Sequence, residues 1–346
     1  MVERLRIAQL APIAGPVRQD SQDSIEQLVW LLTEELVRRG HAVTLFASGD
    51  SETSATLHAV YPRGYEHDDS LWNYEFHEVM HAAAAFERAH QFDVIHSHVY
   101  HYALPFTRLV DTRVVHTYHT LPDPDVIRMY ARYPEAHITA VSRFQCNLFC
   151  GLQRMPIIHH GVDAEAFPFN GERGDYLLFL GRLIPDKGPV EAVHIARAAG
   201  LKLVMAGPGD DYFRQHIAPL VDGGHIEYVG PVNAEQRNTL LAGAAALIYP
   251  LSAPEPFGLV MVEAMACGTP VLAYGRGAVP EIVDMGVTGY YADDLNSLVS
   301  LVPEVCSLDR ARIREEAVAR FGYRRMVTEY ETLYSSLLAN RRRRTA

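Results

Sequence analysis

Three things are scarce in this 346-residue chain, and each scarcity excludes a class of protein. Long apolar runs are missing: none approaches the roughly 20 residues that a membrane-spanning helix needs, and the apolar run near Arg4 and Arg6 is too short for a signal peptide. Cysteine is scarce: Cys146, Cys150, Cys267 and Cys306 lack the paired spacing of a zinc site or a disulfide framework, which points to a reducing, cytoplasmic compartment. Positive charge is in deficit: 31 Lys and Arg against 42 Asp and Glu give a net charge of −11, unsuited to nucleic acid or anionic lipid. The basic tail Arg341–Arg344 is an exception, read as a solvated end.

What is present is a hydrophobic content of 48%, which fits a globular core, in a chain long enough for two domains of common size. Short apolar strands alternate with amphipathic helices. Arg4–Ala11 reads as a strand, Pro12–Asp23 as a loop, and Ser24–Arg39 as a helix with Leu28, Val29, Leu32 and Leu36 on one face. Gly40 closes it before a strand over His41–Ala47. Such strand–helix–strand units make a parallel sheet with right-handed crossovers. The pattern continues through a helix at Glu75–His90, strands at Phe92–Ser97, Thr112–His119 and Ile138–Val141, and a helix at Arg143–Leu152. Phe167–Asp175 (FPFNGERGD) then reads as a linker. A second series follows, with strands at Tyr176–Gly181, Leu201–Ala206, His225–Val229 and Ala246–Pro250, and helices at Pro189–Ala199 and Glu235–Ala242. The expected organisation is two doubly wound α/β domains, with ligands beyond the C-terminal strand ends in the cleft between them.

Residues 250–281 carry the densest chemistry. Glu255 stands in a Pro-rich turn, and a helix over Leu259–Ala266 holds Glu263. Cys267-Gly268 ends that helix before a buried strand at Thr269–Tyr274. Backbone N–H groups at a helix start suit phosphate, and carboxylates accept hydrogen bonds from sugar hydroxyls. Upstream, Gly181-Arg182-Leu183-Ile184-Pro185-Asp186-Lys187-Gly188 joins a strand to a helix. It puts two cations where a diphosphate would lie. His119 is expected at a strand end, and His116 as an internal structural residue. His96, His98, His101, His116 and His119 imitate metal ligands but lack carboxylate or thiolate company, so no metal is expected. Asp123-Pro124-Asp125 reads as a turn or helix start. Tyr61, Tyr65, His67, Trp72, Tyr74, Phe76 and His77 could stack on an acceptor, with half or more of them expected in the core.

Together these residues resemble the retaining glycosyltransferases of the two-domain GT-B type, family 4, along nearly the whole chain. The most specific element is Glu255-Pro256-Phe257-Gly258-Leu259 through Glu263, similar to that family's E-x7-E signature. GRL-x-P-x-KG at 181–188, His119, Val141-Ser142, HHGVD at 159–163 and the C-terminal FGYRRMVTEYETLY also match. The resemblance implies domains at 1–168 (acceptor side) and 169–322 (nucleotide-sugar side), with 323–346 a helix crossing back to the first. It implies transfer of a hexosyl unit from a nucleotide sugar, UDP-glucose first, to a small-molecule or glycan hydroxyl acceptor, without metal or other cofactor. Arg182 and Lys187 would hold the diphosphate, and Glu255 the transferred sugar. The amides of Gly258, Leu259 and Val260 would face phosphate or sugar. Glu263 would bind the ribose, Val232 would lie beside the base, and His119 would approach the reacting carbon.

One departure stands out. The family carries Gly-Gly before the first helix, where this chain has Gln22-Asp23-Ser24-Ile25. Asp23 or Ser24 can be a helix N-cap, Gly15 can take over the phosphate contact, or the donor or acceptor is unusual. A sugar-nucleotide epimerase on the same fold and a non-catalytic nucleotide-sugar-binding protein are the alternatives to a transferase.

Overall fold

The computed structural model describes residues 4–21, 24–149 and 155–345, with side chains to residue 339. The chain forms two compact units: unit 1 takes residues up to Gly161 and again from Tyr323, and unit 2 is Val162–Gly322.

Unit 1 holds a parallel sheet of β1 (Arg6–Leu10), β2 (Ala42–Phe46), β3 (Thr56–His58), β4 (Val94–Ser97), β5 (Arg113–Thr117) and β6 (His137–Thr139). Its order is β3-β2-β1-β4-β5-β6. Unit 2 repeats it with β7 (Tyr176–Leu180), β8 (Lys202–Ala206), β9 (Ile226–Gly230), β10 (Ala246–Tyr249), β11 (Val271–Tyr274) and β12 (Gly289–Ala292) in the order β12-β11-β10-β7-β8-β9. Both are the doubly wound arrangement, whose switch points fall between β1 and β4 and between β7 and β10.

Local chemistry sets the elements. The helix Ser24–Arg38 buries Leu28, Val29, Leu32 and Leu36. It stops where Gly40 turns left-handed at φ 92°. Asp123 accepts from the amides of Asp125 and Val126, both at 2.8 Å, and so caps the helix Pro124–Ala131. The last helix, Tyr323–Thr345, places Met326, Val327, Tyr330, Tyr334 and Leu337 in one core cluster with Ile7, Leu28, Leu32 and Val94. Among the described residues no helix is long and apolar enough to cross a membrane.

Four expectations need adjusting. Phe167–Asp175 is tied into unit 2: Arg310 Nε donates to Asn170 O at 2.6 Å, and Arg314 Nη1 to Phe167 O at 3.0 Å. The division between units therefore precedes that segment. The helix read at Arg143–Leu152 runs Arg143–Leu148, and Cys150 and its successors to 154 lie outside the described residues. None of Tyr61, Tyr65, His67, Trp72, Tyr74, Phe76 and His77 is buried; the helix Tyr74–Phe86 turns Glu78, His81, Ala82, Ala85 and Phe86 inward instead. The strand read to Ala47 ends at Phe46, and β3 beyond it has no apolar run to announce it.

Candidate active site

In unit 2 the switch point is framed by the loops that follow β7 and β10. Gly188 ends the first loop at φ 69°, and a Cβ there would lie 2.0 Å from Pro250 O, so the two loops touch only because this residue is glycine. Asp186 O accepts from Ser252 N at 3.0 Å, Arg276 Nη1 donates to Ser252 O at 2.8 Å, and Ala278 N donates to Glu255 O at 3.2 Å. The turn bearing Glu255 is thus held by its backbone from two sides.

That framework brings three side chains together. Lys187 Nζ pairs with Glu255 Oε1, and Tyr249 Oη donates to Glu255 Oε2. Burial first and the neighbouring Arg182 second press the Lys187 ammonium down to about 8, against the pull of Asp186. The carboxylate contact favours its charged form. Gly258, left-handed at φ 89°, precedes the helix Leu259–Ala266 with no side-chain cap. The first amides of that helix, on Leu259 and Val260, have no preceding turn to bond. A Cβ on Gly258 would meet Met261 Cε at 2.6 Å and Tyr249 Oη at 3.1 Å.

Glu263 lies on the helix itself, buried, 3.5 Å from Arg237 Nη1. Burial pushes its carboxyl up and Arg237 opposes that. Val232 is half-buried in the loop after β9, ahead of the capping box Asn233–Gln236 that starts the helix bearing Arg237. Tyr249 and Arg237 escaped the sequence reading. Tyr249 is the last residue of an apolar strand, and Arg237 one of several polar residues on a weakly amphipathic helix.

In unit 1, His119 sits two residues beyond β5 and is 6% exposed. It lies in a buried polar chain. Its Nε2 is 3.0 Å from His98 Nδ1, and its Nδ1 is 3.4 Å from His160 Nε2. His98 Nε2 is 3.0 Å from Gln9 Oε1, and Gln9 Nε2 donates to Tyr334 Oη at 3.5 Å. Tyr334 Oη meets His96 Nδ1 at 2.6 Å, and His96 Nε2 meets Thr117 Oγ1 at 2.7 Å. Burial lowers the His119 imidazole to about 3, and burial leads the fall of His96, His98 and His160 as well. Rings held neutral in this way are linked to one another by hydrogen bonds. Among the described residues no group of three His, Cys, Asp or Glu is arranged to hold a metal ion. His116, bonded through Nε2 to Thr107 Oγ1 at 2.8 Å, is internal.

Gly15 is buried in the loop after β1, its carbonyl accepting from Ser48 Oγ at 3.4 Å. Ser24 is exposed and is the first residue of its helix, and Asp23 lies outside the described residues.

Comparison with known proteins now bears on these two units. Residues 164–317 match the family model "Glycosyl transferases group 1", and residues 25–166 match "Glycosyltransferase Family 4". An uncharacterized glycosyltransferase, MJ1607, of Methanocaldococcus jannaschii is 26% identical over 75% of this chain and 78% of its own. D-inositol 3-phosphate glycosyltransferase of Mycobacterium avium is 30% identical over 52% of this chain. The match spans about half of that relative's length, 51%. Among solved structures, AviGT4, a glycosyltransferase involved in avilamycin A biosynthesis, is 26% identical with a TM-score of 0.73 over 97% of this chain and 98% of that one. Anabaena HepE in complex with UDP-glucose superposes with a TM-score of 0.71 at 18% identity, over 96% of this chain and 100% of its own. These relatives favour neither an epimerase nor a binding protein. One family model lies over most of each doubly wound unit, and the chain belongs to the GT-B glycosyltransferases of group 1, family 4, enzymes that transfer sugar.

Proposed function

We propose that the protein is a retaining glycosyltransferase that moves a hexosyl unit from a nucleotide sugar, with UDP-glucose as the first candidate, to a hydroxyl acceptor without a metal. The observation that carries this reading is the Lys187–Glu255–Tyr249 cluster beside the uncapped helix start at Gly258. A cation, a carboxylate and free amides converge there, which suits a phosphate bonded to a sugar.

In this reading Lys187 and Arg182 bind the diphosphate and neutralise the charge that grows as it leaves, the work a divalent ion does elsewhere. Phosphate competes for Lys187 and frees Glu255 Oε1 to accept from a sugar hydroxyl, while Tyr249 keeps the other oxygen in place. The amides of Gly258, Leu259 and Val260 face the phosphates or the sugar. Glu263 accepts from the ribose hydroxyls, oriented by Arg237, and Val232 flanks the base. His119 stands near the reacting carbon. The sugar–phosphate C–O bond breaks and the acceptor oxygen bonds the same face of that carbon. The acceptor's proton passes to the departing phosphate oxygen. The acceptor is a small molecule or a glycan. Where the family's Gly-Gly pair touches the phosphate this chain has Asp23 and Ser24, and in this reading Gly15 takes over that contact.

Calorimetric titration with UDP, GDP, ADP and their glucose, mannose and N-acetylglucosamine conjugates tests the donor. UDP-glucose is expected to bind, with or without EDTA, and Lys187→Ala to weaken it about 10- to 100-fold, as loss of a charge-assisted bond does. Unchanged binding in the variant, or loss of turnover in EDTA restored by Mg2+, would sink the corresponding part.

A further inference from the structure

Every nitrogen in the buried chain of unit 1 must be a donor or an acceptor, and Gln9 sets the direction for all of them. Its Oε1 faces His98 Nε2 and can only accept, so the proton of His98 is on Nε2. A neutral His98 then has a bare Nδ1, which accepts from His119 Nε2–H. The bare Nδ1 of His119 accepts in turn from His160 Nε2–H. On the other side of Gln9, Tyr334 Oη accepts from its Nε2 and donates to His96 Nδ1, leaving His96 Nε2–H to donate to Thr117 Oγ1. The direction persists along the whole chain.

We propose that Gln9 and His98 are positioning residues for the sugar transfer, locking His119 as the neutral Nε2–H tautomer with its ring fixed, and that Tyr334 of the last helix anchors the chain. This rests on the placement of His119 beside the sugar given above. Both nitrogens of His119 are spent, one on His98 and one on His160. It therefore serves as an uncharged wall and neither gives nor takes a proton. That suits its place: an imidazolium beside an oxocarbenium-like sugar would put two positive charges together.

The test has two arms on the full chain. Long-range proton–nitrogen NMR of 15N-labelled protein at pH 7.5 reads the tautomers with no substrate. His98 and His119 are expected as neutral Nε2–H forms, and a reversed chain, with the proton of either ring on Nδ1, overturns the proposal. The second arm uses Gln9→Glu, whose carboxylate draws His98 to imidazolium. His98 Nδ1–H then donates to His119 Nε2, and the His119 proton moves to Nδ1. In UDP release from UDP-glucose, kcat is expected to fall about tenfold or more while the donor KM stays within about twofold. A His119 that flips with kcat unchanged overturns the positioning role.

His98→Asn and His98→Leu guard against a variant that does not fold. The asparagine Oδ1 can accept where the imidazole Nδ1 did, so His98→Asn is expected to keep activity that His98→Leu loses; equal activities count against the proposal. A wild-type protein that neither binds nor turns over UDP-glucose sinks the donor reading instead. The relay is still judged by its nitrogen shifts, and the kcat comparison moves to the nucleotide sugar that the titrations select.

Discussion

The two sheets share one strand order and handle polarity in opposite ways. In unit 1 the strands carry buried polar side chains: Gln9 on β1, His96 and Ser97 on β4, His116 and Thr117 on β5, Thr139 on β6. In unit 2 the buried polar side chains Glu263, Thr269, Thr288 and Arg310 all lie outside the strands, whose cores read YLLFL in β7 and VLAY in β11. Strands covered on both faces are usually near-continuous apolar runs, and unit 2 obeys. Unit 1 departs by bonding most of its buried polar groups to one another, which removes the cost of leaving them unpaired. The same topology thus hosts a polar interior in one unit and polar loops on an apolar frame in the other.

Acid should separate the two most sharply. All the buried histidines among the described residues, His41, His81, His96, His98, His116, His119 and His160, belong to unit 1. His81 is lowered to about 4, and His116 and His119 to about 3, chiefly by burial. Such rings are neutral in the fold and bind a proton near pH 6.5 once unfolded. Their contribution is whole above that pH and is lost as pH falls toward 4 and then 3. At pH 5 each costs about 2 kcal/mol. Hydrogen exchange at pH 5 against pH 7.5 should show β1, β4 and β5 opening well before β7, β10 and β11. Simultaneous loss would break the comparison.

The next effect in size is Tyr334→Phe, which leaves His96 Nδ1 and Gln9 Nε2 short of a buried partner. It should cost about 1–3 kcal/mol in urea unfolding, confined to unit 1. A null result would show that the chain does not hold the sheet.

Glu78 sharpens the contrast from the other sign. Buried beneath the loop after β1, it accepts from Ile13 N at 3.0 Å, and burial raises its carboxyl to about 7. A raised carboxyl supports the fold below about pH 4.5, and that support is lost as pH climbs to about 7. Glu78→Gln should therefore gain about 1–2 kcal/mol at pH 8 and little at pH 5. Thermal melts at both values check it, and a loss at pH 8 would contradict it.

The smallest effect belongs to unit 2. Lys187→Gln should change stability by less than about 1 kcal/mol, since the pair with Glu255 is partly exposed. A larger loss in denaturant would mean that the loop charges also hold the frame.

The frame was legible because apolar periodicity is local. Leu28, Val29, Leu32 and Leu36 declare their helix, and the apolar runs of β7 and β10 their strands. Two of the edge strands were not: β3 (TLH) and β12 (GYYA) are too short to declare themselves and take their form from pairing with β2 and β11. The candidate site was legible where chemistry is contiguous, at 181–188 and 255–263. It was illegible where partners are distant. His98 reads as half of a metal-like His-Ser-His, yet its neighbours are Gln9, 89 positions away, and His119. Phe167–Asp175 reads as a linker because the arginines that hold it, Arg310 and Arg314, come from a helix far downstream.

The last helix has a consequence for how the chain is made. Met326, Val327, Tyr330, Tyr334 and Leu337 complete the core around Ile7 and Leu28, and all of unit 2 is translated between the two halves of that core. A ribosome delivers the N-terminal end first. The nascent unit 1 must wait, its apolar face uncovered, while unit 2 emerges with its core contained in one continuous segment. Unit 2 can finish first, and the half of unit 1 made before it is the last to close.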